Sequence, residues 1–215
     1  MLPKPDPRAS RPEHADKPGP NLLPPASPRI MRVMPMPPAL FHSLLGSAEW
    51  GQLATPVRRM HGDDARVHAA GYATVEGSSR LPARLLRRLL RLPEPGPDQA
   101  LALTIERRNG QETWIRRFAS GHMRSTLRSV DGRQLRERLG PVSLHFKLRR
   151  DGDVIDWKLC SARLLGVPLP PWLCGNVLSR SGAHGGRYAF DIDVRLPLIG
   201  QLVAYRGWLE LADGQ

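Results

Sequence analysis

Two cysteines, Cys160 and Cys174, are all that 215 residues carry. They form no CxxC pair and stand beside no histidine at ligand spacing, so a disulfide-stapled scaffold and a cysteine-built metal centre are excluded. One disulfide between them stays open on geometry, and buried or half-buried thiols are the expected state. Aromatic residues are scarce too, at 6%, which leaves few rings on which bases would stack. With no recognisable nucleic-acid module, nucleic acid is not an expected partner. No stretch approaches the roughly 20 apolar residues of a membrane-spanning helix. Residues 1–20 lack the apolar centre of a secretory signal, so a cytoplasmic location is expected. Acidic residues also fall short: 20 against 32 basic ones leave a formal charge of +12. Most of the excess is arginine, which high-GC coding also enriches, so charge by itself names no partner.

Proline is abundant, and its placement divides the chain. Twelve of the 22 prolines fall in residues 1–38, among scattered charges and serines. Such a stretch cannot bury enough apolar area to offset chain entropy, and a disordered tail is expected there. Residues 39–215 are expected to form a single β-rich domain, long enough for one core.

That domain begins with a helical signal, because Leu40, Phe41, Leu44, Leu45 and Trp50 recur at near-helical spacing. Period-two alternation then takes over. Val67, Ala69, Gly71, Ala73 and Val75 share one face of a first strand. Further strands are predicted at 101–106, 113–120, 123–130, 142–149, 154–162, 188–195 and 203–211, with hairpin turns at Asn109-Gly110, Asp131-Gly132 and Asp151-Gly152. Between Leu164 and Leu173, three prolines exclude a central strand, and an apolar loop anchored by Leu165, Leu169 and Trp172 is expected. Eight or nine strands exceed what one flat sheet needs. The predicted fold is therefore mainly β, an antiparallel meander closing fully or half-way into a barrel, with an N-terminal helix and one basic helix after the first strand.

In that basic helix Leu81, Leu85, Leu86, Leu89, Leu90 and Leu92 gather on one side and Arg84, Arg87, Arg88 and Arg91 on another, with Ser78 or Ser79 as cap and Pro82 in the first turn. The default reading has the leucines closing one barrel end while the arginines stay solvated. The alternative places the four arginines against an anionic membrane surface or another anion.

Catalytic patterns are incomplete. Ser179, Ser181, His184 and Asp191 lie near one another without a nucleophile elbow, and a Ser/Gly/His hairpin loop explains them equally. His122 and His145 fall in separate strands, and no metal-ligand spacing occurs. Asp191 and Asp193 share a face opposite Tyr188, Phe190, Ile192 and Val194, which places them toward water. Arg116 is different: it shares a strand face with Trp114 and Phe118. If the aromatics point inward so does the guanidinium, and it needs Glu137 or a bound anion as acceptor. Trp157 and Tyr205 are candidates to line a cavity with their polar ends turned to a mostly apolar ligand, or are simply core.

A resemblance enters through five runs: Trp114-Ile115-Arg116-Arg117-Phe118, Glu137-Arg138-Leu139-Gly140-Pro141, the stretch from Leu164 to Pro170, Leu198-Ile199-Gly200, and Tyr205-Arg206-Gly207-Trp208-Leu209. In this order they resemble the bacterial domain-of-unknown-function family numbered 4166, with Leu139 standing where such domains commonly show phenylalanine. The resemblance spans about residues 40–211 and implies no assigned activity. It also implies that a dehydrogenase-like protein is a conceivable partner. This chain lacks a dinucleotide fingerprint, since residues 182–186 have neither the spacing nor the strand-to-helix context.

The reading that follows is a small barrel-like domain, non-catalytic by itself, binding an apolar or amphipathic small molecule through Trp114, Arg116, Glu137, Trp157 and Tyr205, or serving as an accessory to a redox enzyme. No cofactor is expected. The competing readings are an enzyme whose residues, such as Arg116, Glu137 and His145, converge only in space, and a peripheral membrane protein.

Overall fold

Alternating rows of apolar and polar side chains give each strand one face to hide, and closure of the sheet on itself hides all of those faces at once. The structure, a computed structural model, describes residues 39–212, so the tail expected over residues 1–38 lies outside the described residues. Eleven strands form one antiparallel sheet: β1 (Arg66–Glu76), β2 (Gly96–Arg108), β3 (Gln111–Phe118), β4 (Gly121–Val130), β5 (Gln134–Leu139), β6 (Val142–Asp151), β7 (Val154–Leu164), β8 (Val167–Pro168), β9 (Asn176–His184), β10 (Arg187–Leu196) and β11 (Gly200–Leu211). The order β6-β5-β4-β3-β2-β1-β11-β10-β9-β7, with β7 pairing back onto β6, closes a ten-stranded barrel; β8 is a short addition outside the ring.

The predicted hairpins at Asn109-Gly110 and Asp131-Gly132 are present, each with both residues at positive φ as tight turns between twisted strands require. Three strands lie outside the sequence expectation: the two-residue β8, in the stretch expected to be a loop, and two of the barrel strands. β5 was hidden because its inward row, Leu135, Glu137 and Leu139, carries an acid, and β9 because its inward row from Val177 contains Ser179 and Ser181. Gly207 on β11 permits a close approach of neighbouring backbone: a Cβ there would fall on the carbonyl oxygen of Tyr72 in β1.

The two ends of the barrel differ. At one end stand the beginning of β1 and the β2–β3, β4–β5, β6–β7 and β9–β10 turns. The predicted helical lead-in covers this end as three short pieces, α1 (Leu40–Leu45), α2 (Ser47–Gly51) and α3 (Thr55–Met60). Gly46, at φ 83°, separates the first two. Phe41, Val57, Met60 and His61 are fully buried here. The Phe41 ring lies 3.9 Å from His61 and 5.4 Å from Trp157, so the lead-in plugs the base.

At the other end are α4 (Leu81–Leu90), the connection from β7 to β9 and the β10–β11 turn. The ring is weakest on this side. β7 and β9 pair only at Ile155–Ser181 and Asp156–Arg180, and beyond that point residues 165–175, with β8 and the single turn α5 (Pro171–Cys174), occupy the gap.

Candidate functional site

Strand alternation aims one side chain in two at the barrel axis, and on several strands the inward rows do not meet. They leave a cavity of about 390 Å³ that opens at the α4 end. Trp114, Phe146, Trp157 and Tyr188 line it near the plugged base. Leucine, valine and isoleucine line the upper wall, joined by Leu86 and Leu90 of α4 and by Leu169 and Leu173. Protein interiors seldom leave voids much larger than a water molecule, and small-molecule sites occupy roughly 300–1,000 Å³.

Few polar side chains break this apolar lining, chiefly Arg116, Glu137, Ser179 and Ser181. Arg116 is buried on β3 between Trp114 and Phe118, as the shared strand face requires. Its Nη1 donates to Ser125 Oγ at 3.0 Å, and its Nη2 stands 3.5 Å from Glu137 Oε1. The guanidinium carbon lies 4.8 Å from the centre of the Trp114 ring. Two of the five guanidinium N–H groups are thereby engaged among the described residues, and the pair balances its own charge. Below it, the buried Trp157 indole N–H has no partner among the described residues. An unsatisfied buried donor costs about 1–3 kcal/mol, and this one is closed off from water-sized space, so it is a cost of packing the base.

The floor holds a second pair. His61 Nε2 and the Tyr188 hydroxyl share a hydrogen bond at 3.2 Å, while His61 Nδ1 has no partner among the described residues. Burial, and then the nearby Arg107 charge, hold His61 well below its ordinary value of 6.5. Burial likewise pushes the Tyr188 hydroxyl up to about 12, against the hydrogen bond from Ser181. The histidine is therefore neutral in the fold and charges only when the chain unfolds. Stability from this group is complete above its unfolded value and is lost as pH falls from about 6.5 toward the depressed folded value. In chemical denaturation between pH 7.5 and 5, the His61→Gln chain is expected to lose less stability on acidification than the unmodified chain; equal slopes would refute the assignment.

Trp114, Arg116, Glu137, Trp157 and Tyr205 all line this one cavity. Ser179, Ser181 and Tyr188 also line it, and Ser125 and His61, which hydrogen-bond to Arg116 and Tyr188, were not singled out in sequence. Ser125 sits between Met123 and Leu127 in the inward row of β4, directly across from Trp114, and a serine in an apolar row was the available signal. His61 follows α3 outside any periodic segment and gave none.

Other expectations are corrected. His145 does not converge with Arg116 and Glu137: it pairs with Arg136 on the outer face, because Leu144 takes the inward position across from Glu137. Ser179 and Ser181 face the cavity whereas His184 and Asp191 occupy outward registers, so no Ser/His/Asp set forms. Among the described residues no cluster of potential metal ligands occurs. Cys160 and Cys174 are free thiols, the first exposed and the second half-buried. Leu165 and Trp172 do not anchor their loop; both point to solvent, and Leu169 alone of the three lines the cavity.

The basic helix is turned differently from the default reading. Ala83 and Arg87 are its buried residues, Leu86 and Leu90 face the cavity, and Leu81, Leu85 and Leu89 are exposed. Arg87, only 2% exposed, does not join Arg84, Arg88 and Arg91 as a surface contact. Its Nη1 donates to the carbonyls of Ser78 at 2.9 Å and Leu202 at 3.1 Å, passing close over Gly77. A desolvated guanidinium needs such acceptors, and they fasten α4 to β11 by that face. Neither serine caps the helix; Ser78 Oγ accepts the Arg80 backbone N–H instead.

No helix among the described residues is long and apolar enough to cross a membrane. No curated protein matches the chain. Residues 53–209, including the plug from Leu53 onward and nearly the whole barrel, match the family described as a domain of unknown function (DUF4166), and the chain belongs to that family.

Proposed function

We propose that this barrel binds one mainly apolar small molecule carrying a neutral hydrogen-bond acceptor, such as a carbonyl, ester or hydroxyl oxygen. The cavity carries the reading: about 390 Å³ of mainly apolar space, plugged at its base, around a self-balanced Arg116–Glu137 pair whose guanidinium keeps unengaged N–H groups. Glu137 already neutralises Arg116, so a second anion would meet a carboxylate, whereas a neutral acceptor uses the free donors without repulsion. The acceptor enters first, and the apolar body extends along the leucine-lined wall toward the mouth.

Native mass spectrometry of the full chain, purified without detergent, tests this. A stoichiometric adduct extractable into organic solvent is expected. Ala162→Phe, which fills the cavity from a buried lining position, should weaken rebinding of the extract by about tenfold or more, since binding depends on shape-matched apolar contact. A folded chain with a clean unliganded mass and no change in unfolding temperature on adding extracted lipids would overturn the proposal.

A further inference from the structure

Water-insoluble ligands must reach the cavity through its mouth, and the mouth carries an unusual concentration of exposed apolar side chains. Leu85 and Leu89 project from α4, the latter 72% exposed. Leu165 and Trp172 project from the β7–β9 connection, and Leu198, at 93%, from the β10–β11 turn. The antiparallel topology brings all three segments to the same end: each leaves or precedes a strand whose other end faces the plugged base. The Ser78 N–H bond to the Gln201 carbonyl holds the start of the α4 segment beside that of β11. Other residues of the same three segments line the cavity. The rim is thus continuous with the site.

Charge identifies what covers it. Arg84, Arg88 and Arg91 are exposed in or at the end of the same helix, which contains no acidic residue. The acids nearest in the chain, Glu76 and Glu94, lie beside Arg206 and the buried Arg87. Exposed leucine and tryptophan tips from three segments at the mouth, beside three arginines with no acidic residue in the helix, make the apolar and cationic combination that suits an anionic lipid surface. Tryptophan is at home at the headgroup boundary.

We infer that the rim of the barrel mouth docks on an anionic lipid bilayer, with Leu85, Leu89, Leu165, Trp172 and Leu198 entering the acyl boundary and Arg84, Arg88 and Arg91 meeting the headgroups. Docking joins the cavity to the bilayer interior, so that an apolar molecule passes between them without crossing water. This rests on the binding role proposed above for its purpose, though the contact itself is separately measurable.

The test is sedimentation of the full chain with vesicles of phosphatidylcholine alone and of equal parts phosphatidylcholine and phosphatidylglycerol. Partition onto the anionic vesicles is expected, weakening with salt. Each arginine near such a surface contributes roughly fivefold, so Arg84→Gln, Arg88→Gln and Arg91→Gln together should reduce partition about a hundredfold. Leu85→Ser, Leu89→Ser and Leu198→Ser together should reduce it about tenfold or more. These residues are exposed, and unchanged thermal unfolding would show that each triple variant keeps the fold. Absence of partition by the unmodified chain, or partition by either triple variant equal to that of the unmodified chain, overturns the inference. Self-association that the leucine variant abolishes, without vesicle binding, overturns it in favour of a second copy on the rim. A stoichiometric adduct with no partition leaves the binding role and removes docking; partition with a clean unliganded mass does the reverse.

Discussion

Replacing Phe41 by alanine is expected to cost about 3–5 kcal/mol of stability, the range for removing a large aromatic from a packed core, and to lower the unfolding temperature by on the order of 10 °C. Phe41 is fully buried, and its ring sits among His61 at 3.9 Å, Trp157 at 5.4 Å and Trp114 at 6.2 Å. No neighbour can collapse into the gap easily, because the tryptophans are held on strands and α1 is short. Beyond the loss of contact, the change unplugs the base. Near-ultraviolet circular dichroism from Trp114 and Trp157 should weaken while the strand signal persists, and the exposed Leu89→Ala should leave both unchanged. A loss below about 1 kcal/mol, under the usual cost of a core cavity, would show that α1 is not a structural part of the barrel.

The second large effect is expected at Glu112, which is buried on β3 and receives two donors, Trp114 Nε1 at 2.7 Å and Arg107 Nε at 3.0 Å. Burial pushes its carboxyl above the ordinary value, and the Arg107 charge and the Trp114 hydrogen bond pull against that. Arg107 in turn donates to the carbonyls of Met60 and Asp64, so the cluster ties the end of α3 and the approach to β1 against β3. Glu112→Ala removes the shared acceptor and strands an indole N–H and a nearly buried guanidinium together. Breaking one side of a buried pair costs about 3–5 kcal/mol. Glu112→Gln keeps an acceptor for one donor and should lose less, about 1–3 kcal/mol. Urea unfolding of the two variants measures the difference. Equal losses would mean that the shape and acceptor retained by glutamine contribute nothing and that the carboxylate charge carries the whole effect.

Much of the architecture was legible because period-two alternation is a local property. The rows through β1, β2, β6 and β10 each announce one buried face, and the Asn-Gly and Asp-Gly pairs announce where the chain reverses. Two barrel strands that escaped, β5 and β9, have inward rows interrupted by Glu137 and by Ser179 and Ser181, whereas β3 and β4 stayed legible because aromatic or aliphatic neighbours flank Arg116 and Ser125. Local pattern weakens where polar side chains replace apolar ones in a short inward row, as on these two strands.

Arg116 shows how far the same reasoning reaches. Its shared face with Trp114 and Phe118 is enough to place a guanidinium inside, and the acceptor it needs, Glu137, stands 3.5 Å away. Arg87 shows where it stops. Leucine and arginine stripes on an amphipathic helix predict two faces, but the rotation that buries Arg87 and exposes Leu85 depends on where Gly77, Ser78 and Leu202 present room and carbonyls.

The sequence alone determined a mainly β barrel, the position of its turns, its family and the inward course of Arg116, since each depends on neighbours within a few positions or on a run of motifs. Tertiary structure decided the plugged base, the open mouth, the rotation of the basic helix that buries Arg87 and the meeting of His61 with Tyr188 across 127 positions. Those depend on which inward rows come face to face once ten strands close into a ring, and no local period encodes the space left between them.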